Sequence, residues 1–259
     1  MTAPVAKPPA SGGPAVRGIG LAQRFGDRLL YRDVSFEVAR GEVFVILGGS
    51  GCGKSTLLRQ CIGLLPPTEG RVELMGCDIT TAAPEALSEV LRRIGVMFQS
   101  GALFGSMTLL ETVMLPLEMH TDLPLAARRR VARLKLGLVG LADSVGLLPA
   151  EISGGMAKRA AIARALALDP PLLFLDEPSA GLDPVTSAGL DALILELRHD
   201  LGLTFVVVTH ELASILAIAD RCLMLDRGAL GVIASGDPRR LRDESTDPKV
   251  RGFFRREAA

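Results

Sequence analysis

Val43-Phe44-Val45-Ile46-Leu47-Gly48-Gly49-Ser50-Gly51-Cys52-Gly53-Lys54-Ser55-Thr56 is the stretch on which the fold turns. Its first five residues are apolar without alternation, the pattern of a strand buried on both faces of a parallel sheet. The next eight fit G-x-x-x-x-G-K-[ST] without deviation. Ser55 to Gly63 then reads as a helix stopped by glycine, with Pro66 and Pro67 beyond it. Strand, glycine loop and helix in that order give the pattern its chemical meaning. Glycines let the backbone curl so that successive N–H groups converge on phosphate oxygens, and the helix start adds about half a positive charge. Gly48, Gly49, Ser50, Gly51, Cys52 and Gly53 are expected to form the cradle. Lys54 should reach the β- and γ-phosphates of ATP, Ser55 should place its hydroxyl on Mg²⁺, and Thr56 should add a phosphate contact. The plain alternative is a glycine turn carrying a surface lysine.

Outward from this stretch, strands alternate with helices. Leu21 to Leu30 and Val34 to Val38 read as strands around Gly26 and Asp27, and Val34, Phe36 and Val38 alternate as a half-buried strand should. Ile94 to Phe98, Leu172 to Leu175 and Thr204 to Val208 are further strands, the last two separated by a helix over Val185 to His199. Thr108 to Leu168 is helical in pattern, interrupted near Pro116, Pro124 and Pro149. The fold class is α/β, with the helical stretch, about 100–165, inserted as a smaller subdomain. Residues 1–16 read as a flexible tail, 17–240 as the folded domain and 241–259 as a C-terminal tail.

The second chemical feature is the acid pair Asp176-Glu177 at the end of Leu172 to Leu175. Open α/β sheets bind ligands at the carboxyl ends of their strands. Asp176 is placed there to hold Mg²⁺ and Glu177 to act as general base on a water; a helix-capping acid pair is the alternative. Gln99 and His210 come directly after strands in the same way, and Ser153-Gly154-Gly155 precedes a helix from Met156 to Leu168. Each is weak alone: a single histidine at a strand end is usually structural.

Composition excludes several classes. Lys+Arg and Asp+Glu are equal at 29, so there is no basic footprint for nucleic acid. Mean hydropathy is +0.34, yet no run approaches the roughly 20 apolar residues that span a bilayer. Met1 to Pro14 lacks the apolar core of a signal peptide, which implies a cytoplasmic protein. Cys52, Cys61, Cys77 and Cys222 show no metal-ligand spacing and read as small apolar fillers. Alkylation of Cys52, inside the glycine loop, is expected to disturb nucleotide binding.

Together these residues resemble the ATPase subunits of ABC transporters, from about Ile19 to Asp237. The order matches the family's: phosphate loop 48–55, Gln99 in the Q-loop, signature 153–156, Asp176-Glu177, D-loop Ala180-Gly181-Leu182-Asp183, and the His210 switch. The resemblance implies a P-loop NTPase (RecA-like) core with an antiparallel β subdomain and an inserted α-helical subdomain. It implies two copies meeting head to tail on ATP, with Ser153, Gly154 and Gly155 serving the partner's nucleotide. Glu177, His210 and Gln99 would be catalytic; Ser55, Gln99 and Asp176 would hold Mg²⁺; Asp183 would organise geometry across the dimer. Phe25 matches the aromatic that stacks on adenine, with a core phenylalanine as the alternative, and Tyr31 is less well placed.

One departure is visible, Met156 where the family commonly has Gln. With Phe98-Gln99-Ser100-Gly101-Ala102-Leu103-Phe104, Leu115-Pro116-Leu117, His120-Thr121, and Asp247-Pro248-Lys249-Val250-Arg251-Gly252-Phe253-Phe254, it looks like the Mce/Mla-type subgroup. That resemblance implies phospholipid transport between membranes, integral-membrane permease partners, an Mce-type lipid-binding protein and a place on the cytoplasmic face of the inner membrane. The region 99–121 would receive a permease helix, and the tail bearing Phe253 and Phe254 is expected to dock on a neighbouring subunit. Among alternatives, chromosome-structuring ATPases carry coiled coils that this chain lacks, translation ATPases carry two heads, and P-loop kinases lack the signature. An amino-acid or lipoprotein transporter subunit stays open.

Overall fold

The computed structural model describes residues 13–255. β1 (Val16–Phe25) and β2 (Arg28–Val38) form a hairpin, and β3 (Val43–Gly48) leads through the glycine loop into α1 (Lys54–Cys61). β4 (Glu69–Leu74), β5 (Cys77–Asp78), α2 (Pro84–Leu91) and β6 (Ile94–Met97) come after it. Three helices come next: α3 (Leu109–His120), α4 (Leu125–Leu138) and α5 (Gly154–Ala165). The chain then alternates through β7 (Leu172–Asp176), α6 (Pro184–Leu201), β8 (Thr204–Val208) and α7 (Leu212–Ile218). It closes with β9 (Arg221–Asp226), β10 (Gly231–Gly236), α8 (Pro238–Glu244) and α9 (Pro248–Arg255).

The strands form two sheets. One has the order β10-β9-β3-β8-β7-β6, parallel except for β10; the other, β2-β1-β4-β5, is antiparallel. The apolar run of β3 lacks alternation because both its faces are covered. Val43, Val45 and Leu47 enter a core shared with α3 to α7, while Phe44 and Ile46 enter a second core under α1 and the antiparallel sheet. Each fully buried aliphatic or aromatic side chain of this kind contributes roughly 1.5–3 kcal/mol.

The structure corrects several sequence expectations. The first strand begins at Val16, inside the segment read as a tail; Ala15 and Val16 are buried, while residues 1–12 lie outside the described part. Leu29 and Leu30 belong to β2, because the turn falls at Gly26-Asp27. Pro116 does not interrupt α3. Leu109, Val113, Met114 and Leu117 anchor that helix in the core, and packing overrides the one donor that proline removes. β4, β5, α2, β9 and β10 were not expected.

The C-terminal segment is the largest correction. Val250 and Phe254 are buried in the helix-side core of their own chain, with Leu241 and Phe253 packed against it. Lys249 adds an ion pair with Asp226 at 2.6 Å. The Phe pair, crossed edge to face at 5.4 Å between centroids, is therefore not a free patch awaiting a neighbour.

Candidate functional site

β3, β8, β7 and β6 are parallel, so the residues just past their ends gather along one edge of the sheet. β3 runs into the glycine loop, β8 into Thr209-His210, β7 ends on Asp176 and continues into Glu177, and β6 reaches Gln99 through Phe98.

Glycine is required where the loop leaves β3 and where it enters α1. Gly48 has φ +142°, and a β-carbon there would stand 2.2 Å from the Leu225 carbonyl oxygen. Gly53 has φ +105°, and its β-carbon would stand 2.8 Å from the buried ring of Tyr31. Gly53 is also the N-cap of α1, so no side-chain oxygen satisfies the first N–H groups of that helix. By contrast α3, α5, α6 and α8 are capped by Thr108, Ser153, Asp183 and Asp237. Uncapped N–H groups at a helix start suit an anion. Lys54 lies curled over its own loop, its ammonium donating to the Gly48 and Gly49 carbonyls at 2.9 and 3.1 Å.

A cavity of about 950 Å³ opens here. It is lined by Gly48, Gly49, Ser50, Gly51, Gly53, Lys54, Ser55, Thr56, Gln99, Glu177 and His210, and by Phe25, Arg28, Leu30 and Phe253. Phe25 is 51% exposed, which removes the core alternative for it. Glu177 is buried, and the Nδ1 of exposed His210 lies 2.9 Å from both its carboxylate oxygens. Ser55 donates its hydroxyl to Asp176 at 3.1 Å. Burial pushes the Asp176 carboxyl up, opposed by the Ser55 hydrogen bond and reinforced by the charge of Glu177. A buried carboxylate touching a hydroxyl at the mouth of a phosphate-type loop is a hard-oxygen donor pair. It fits Mg²⁺, a cation that takes one or two protein oxygens and leaves its other positions to water and phosphate.

Other expected site residues stand apart. Cys52 is 2% exposed and packs behind the loop; burial raises its thiol pKa, so its side chain neither lines the cavity nor presents a reactive thiolate. Ser153, Gly154, Gly155 and Asp183 do not line the cavity. Ser153 and Gly154 are exposed, and the Ser153 hydroxyl oxygen accepts the Met156 N–H at 3.2 Å. Gly155 is buried, its α-carbon facing the Thr186 methyl. Asp183 accepts the N–H groups of Val185 and Thr186 at 3.0 and 3.1 Å as the cap of α6, so its carboxylate is committed within its own chain and held below the usual range, chiefly by the Thr186 hydroxyl. Met156 packs against the helix-side core, an apolar use for the departing signature residue.

Arg28 and Phe253 at the cavity were missed by sequence reasoning. Arg28 had a signal: it is the strand partner of Phe25 across a two-residue turn. Phe253 had none, since the return of α9 rests on long-range packing. Among the described residues no helix is long and apolar enough to cross a membrane, and no cluster of three or more His, Cys, Asp or Glu could hold a metal.

Residues 31–180 match the ABC transporter family. The chain is 40% identical over 233 residues to the intermembrane phospholipid transport system ATP-binding protein MlaF of Haemophilus influenzae, covering 90% of this chain and 87% of that protein. It is 41% identical over 242 residues to the probable ribonucleotide transport ATP-binding protein mkl of Mycobacterium leprae, covering 93% of this chain and 69% of that one. It spans 65% of the Mycobacterium tuberculosis mkl protein. Among solved structures, the dimeric post-hydrolysis state of the ATP-binding cassette MJ0796 bound to ADP and Pi superposes with a TM-score of 0.77 at 31% identity, covering 86% of this chain and 98% of that chain. A P-loop NTPase cassette and an MlaF-like sequence thus meet in one polypeptide: the chain belongs to the ABC transporter family, as an ATP-binding subunit of the MlaF type.

Proposed function

We propose that two copies of this chain clamp ATP between them, hydrolyse it, and thereby power phospholipid movement between membranes through permease subunits and an Mce-type lipid-binding protein. The observation that carries the reading is the convergence of the glycine loop, Gln99, Asp176, Glu177 and His210 at the ends of four parallel strands. The name of the Haemophilus influenzae relative supports ATP-driven phospholipid transport between membranes, and the dimeric assembly of the solved cassette supports the pairing; a place at the cytoplasmic face of an inner membrane belongs to the same proposal.

In this reading the uncapped start of α1 and the loop N–H groups bind the phosphates, and Lys54 swings from its glycine carbonyls to the β- and γ-oxygens. Phe25 stacks on the adenine, and Arg28 flanks it. Ser55 and Asp176, with Gln99 at the rim, would hold Mg²⁺, which when bound would offset charge on the phosphates. Glu177 takes the proton of a water as its oxygen attacks the γ-phosphorus, and the bond to the ADP oxygen breaks. His210, beside Glu177, orients that carboxylate and contacts the γ-phosphate. Ser153 and Gly154, exposed and off the cavity, complete the partner's site. Asp183 supports the D-loop from its place at the head of α6. A groove of about 530 Å³ bordered by Leu87, Leu91, Val96, Pro116 and Leu168 receives the permease. It draws on α2 and β6 more than on the region 99–121.

Glu177→Gln tests the reaction. The amide keeps the side chain's size and its contact with His210 but cannot take the proton. ATP binding and ATP-driven pairing persist, while turnover falls about 10²- to 10⁴-fold. Undiminished steady-state phosphate release by the pure variant with its membrane partners refutes the reading. Phospholipid transfer between donor and acceptor vesicles, lost in the same variant, tests the cargo.

A further inference from the structure

Lys158 is a buried cation that the reaction above does not use. It lies on α5, five residues beyond Ser153, and is 8% exposed. Its ammonium donates to the carbonyl of Gln99 at 2.5 Å and reaches the carbonyl of Glu177 at 3.5 Å. One side chain thus joins the signature helix to the ends of both β6 and β7. Burying an ammonium is costly unless its donors are used, and these donors are used on the backbones of two residues that face the nucleotide.

The backbone of Glu177 gives this contact its meaning. Glu177 has φ +48°, a conformation that non-glycine residues rarely adopt and that persists only where surroundings over-determine it. Its N–H donates to the Val208 carbonyl at 2.8 Å, and its carbonyl accepts the Ala180 N–H at 3.2 Å together with the Lys158 ammonium. β7 and β8 supply the first restraint and the loop after Glu177 the second. Only the third comes from the helix that bears Ser153 and Gly154.

We propose that Lys158 is a positioning residue that ties α5 to the carbonyls of Gln99 and Glu177, so that the general base is aligned only when the signature helix is seated. The inference rests on the function proposed above. Seating of the partner's nucleotide on Ser153 and Gly154 shifts α5, and the ammonium passes that shift to the general base Glu177 and to Gln99 at the rim of the Mg²⁺ site. Burial holds the Lys158 pKa below the usual lysine value, opposed by the charges of Glu177 and Asp176.

The test uses full-length chain assembled with its membrane partners and compares Lys158→Met, Lys158→Arg and Glu177→Gln, singly and combined. Lys158→Met lowers kcat roughly 10- to 100-fold, the worth of a hydrogen bond from a charged donor, with the KM for ATP within about threefold of native. Lys158→Arg, whose guanidinium can span two carbonyls, recovers most of kcat. In single turnover, Lys158→Met adds no further loss to Glu177→Gln, because it acts through a base that is already gone. Should Lys158→Met not fold, Lys158→Gln, a shorter neutral donor that can reach one carbonyl at most, takes its place with a smaller loss of kcat in the same direction and an unchanged KM. An unchanged kcat, a rise in KM alone, or losses that multiply in the double variant would each overturn the proposal. Full turnover by Glu177→Gln would instead remove the function on which it rests.

Discussion

Phe254→Ala tests whether α9 is part of the body of this chain. Phe254 is 4% exposed and Val250 0%, and together they fasten the last described helix to the helix-side core. Truncating a buried phenylalanine to alanine costs about 3–5 kcal/mol. A terminal element with so few anchors opens on its own before the rest of the fold. The loss therefore falls on the local docking equilibrium, where about 1.4 kcal/mol is a factor of ten. The undocked fraction of α9 should rise on the order of 100- to 3,000-fold. Amide exchange read by mass spectrometry reports this directly: protection over 248–255 falls by about two decades or more, while the buried strands β7 and β8 keep theirs. Because Phe253 shares the cavity wall with Phe25, ATP binding weakens in the same variant. Native-like exchange over 248–255 in Phe254→Ala would refute the docking of α9 on its own chain.

Three further outcomes rest on the same geometry. Ser153→Asp keeps an oxygen for the Met156 N–H and so preserves the α5 cap, but it replaces a hydroxyl donor by a second acceptor; thermal stability holds while hydrolysis by the dimer is lost, and a large loss of ATP affinity in the isolated monomer would count against action in trans. Iodoacetamide at mildly alkaline pH labels partly exposed Cys77 well before Cys52, whose thiol is buried and pushed up, so peptide mapping that finds Cys52 modified first contradicts the packing behind the glycine loop. The Lys249 hydrogen bond holds Asp226 below its ordinary 3.8, so its contribution to α9 docking is complete above that value and is lost as pH falls through the lower folded value; limited proteolysis at the C-terminus should show the acid release, and Lys249→Met should abolish the pH dependence.

Legible and hidden parts of the fold divide along physical lines. Strands buried on both faces, β3, β7 and β8, are legible because nothing but an unbroken apolar run can occupy them, and the chemistry at their ends is legible because each end carries a polar residue with a task. β9 and β10 were missed: Arg221 to Asp226 is framed by charge, and β10 is half-buried and glycine-ended, so neither announces a strand locally. Pro116 misled for the opposite reason, a strong local rule overruled by the buried residues of its own helix. α9 was read as a loose tail because Phe253 and Phe254 are apolar with no visible partner in the sequence, whereas in the structure α9 packs on α8 and joins the helix-side core. Cys52 was read into the cradle for its backbone; the curl at Gly51 and Gly53 turns its side chain inward to the core, which its place in the pattern did not announce.

The site also shows why its chemistry sits at strand ends and not on the helices alone. Asp176 is paired with Val208 in the last register position of β7 and β8, with both strands buried along their whole length, so neither carboxylate of the acid pair can drift sideways. That rigidity is what allows Glu177 to be held at φ +48°, since a looser frame would relax it. Gln99, His210 and Ser153, by contrast, are exposed and lie just past element ends or at a helix cap. In the proposed mechanism this gives Asp176 and Glu177 a fixed geometry, and leaves Gln99 at the rim and His210 and Ser153, which would meet a γ-phosphate between two copies, on exposed ground. The buried ammonium of Lys158 joins the exposed Gln99 to the buried Glu177 through their carbonyls, which makes it the place where, in the proposed coupling, movement of one is felt by the other.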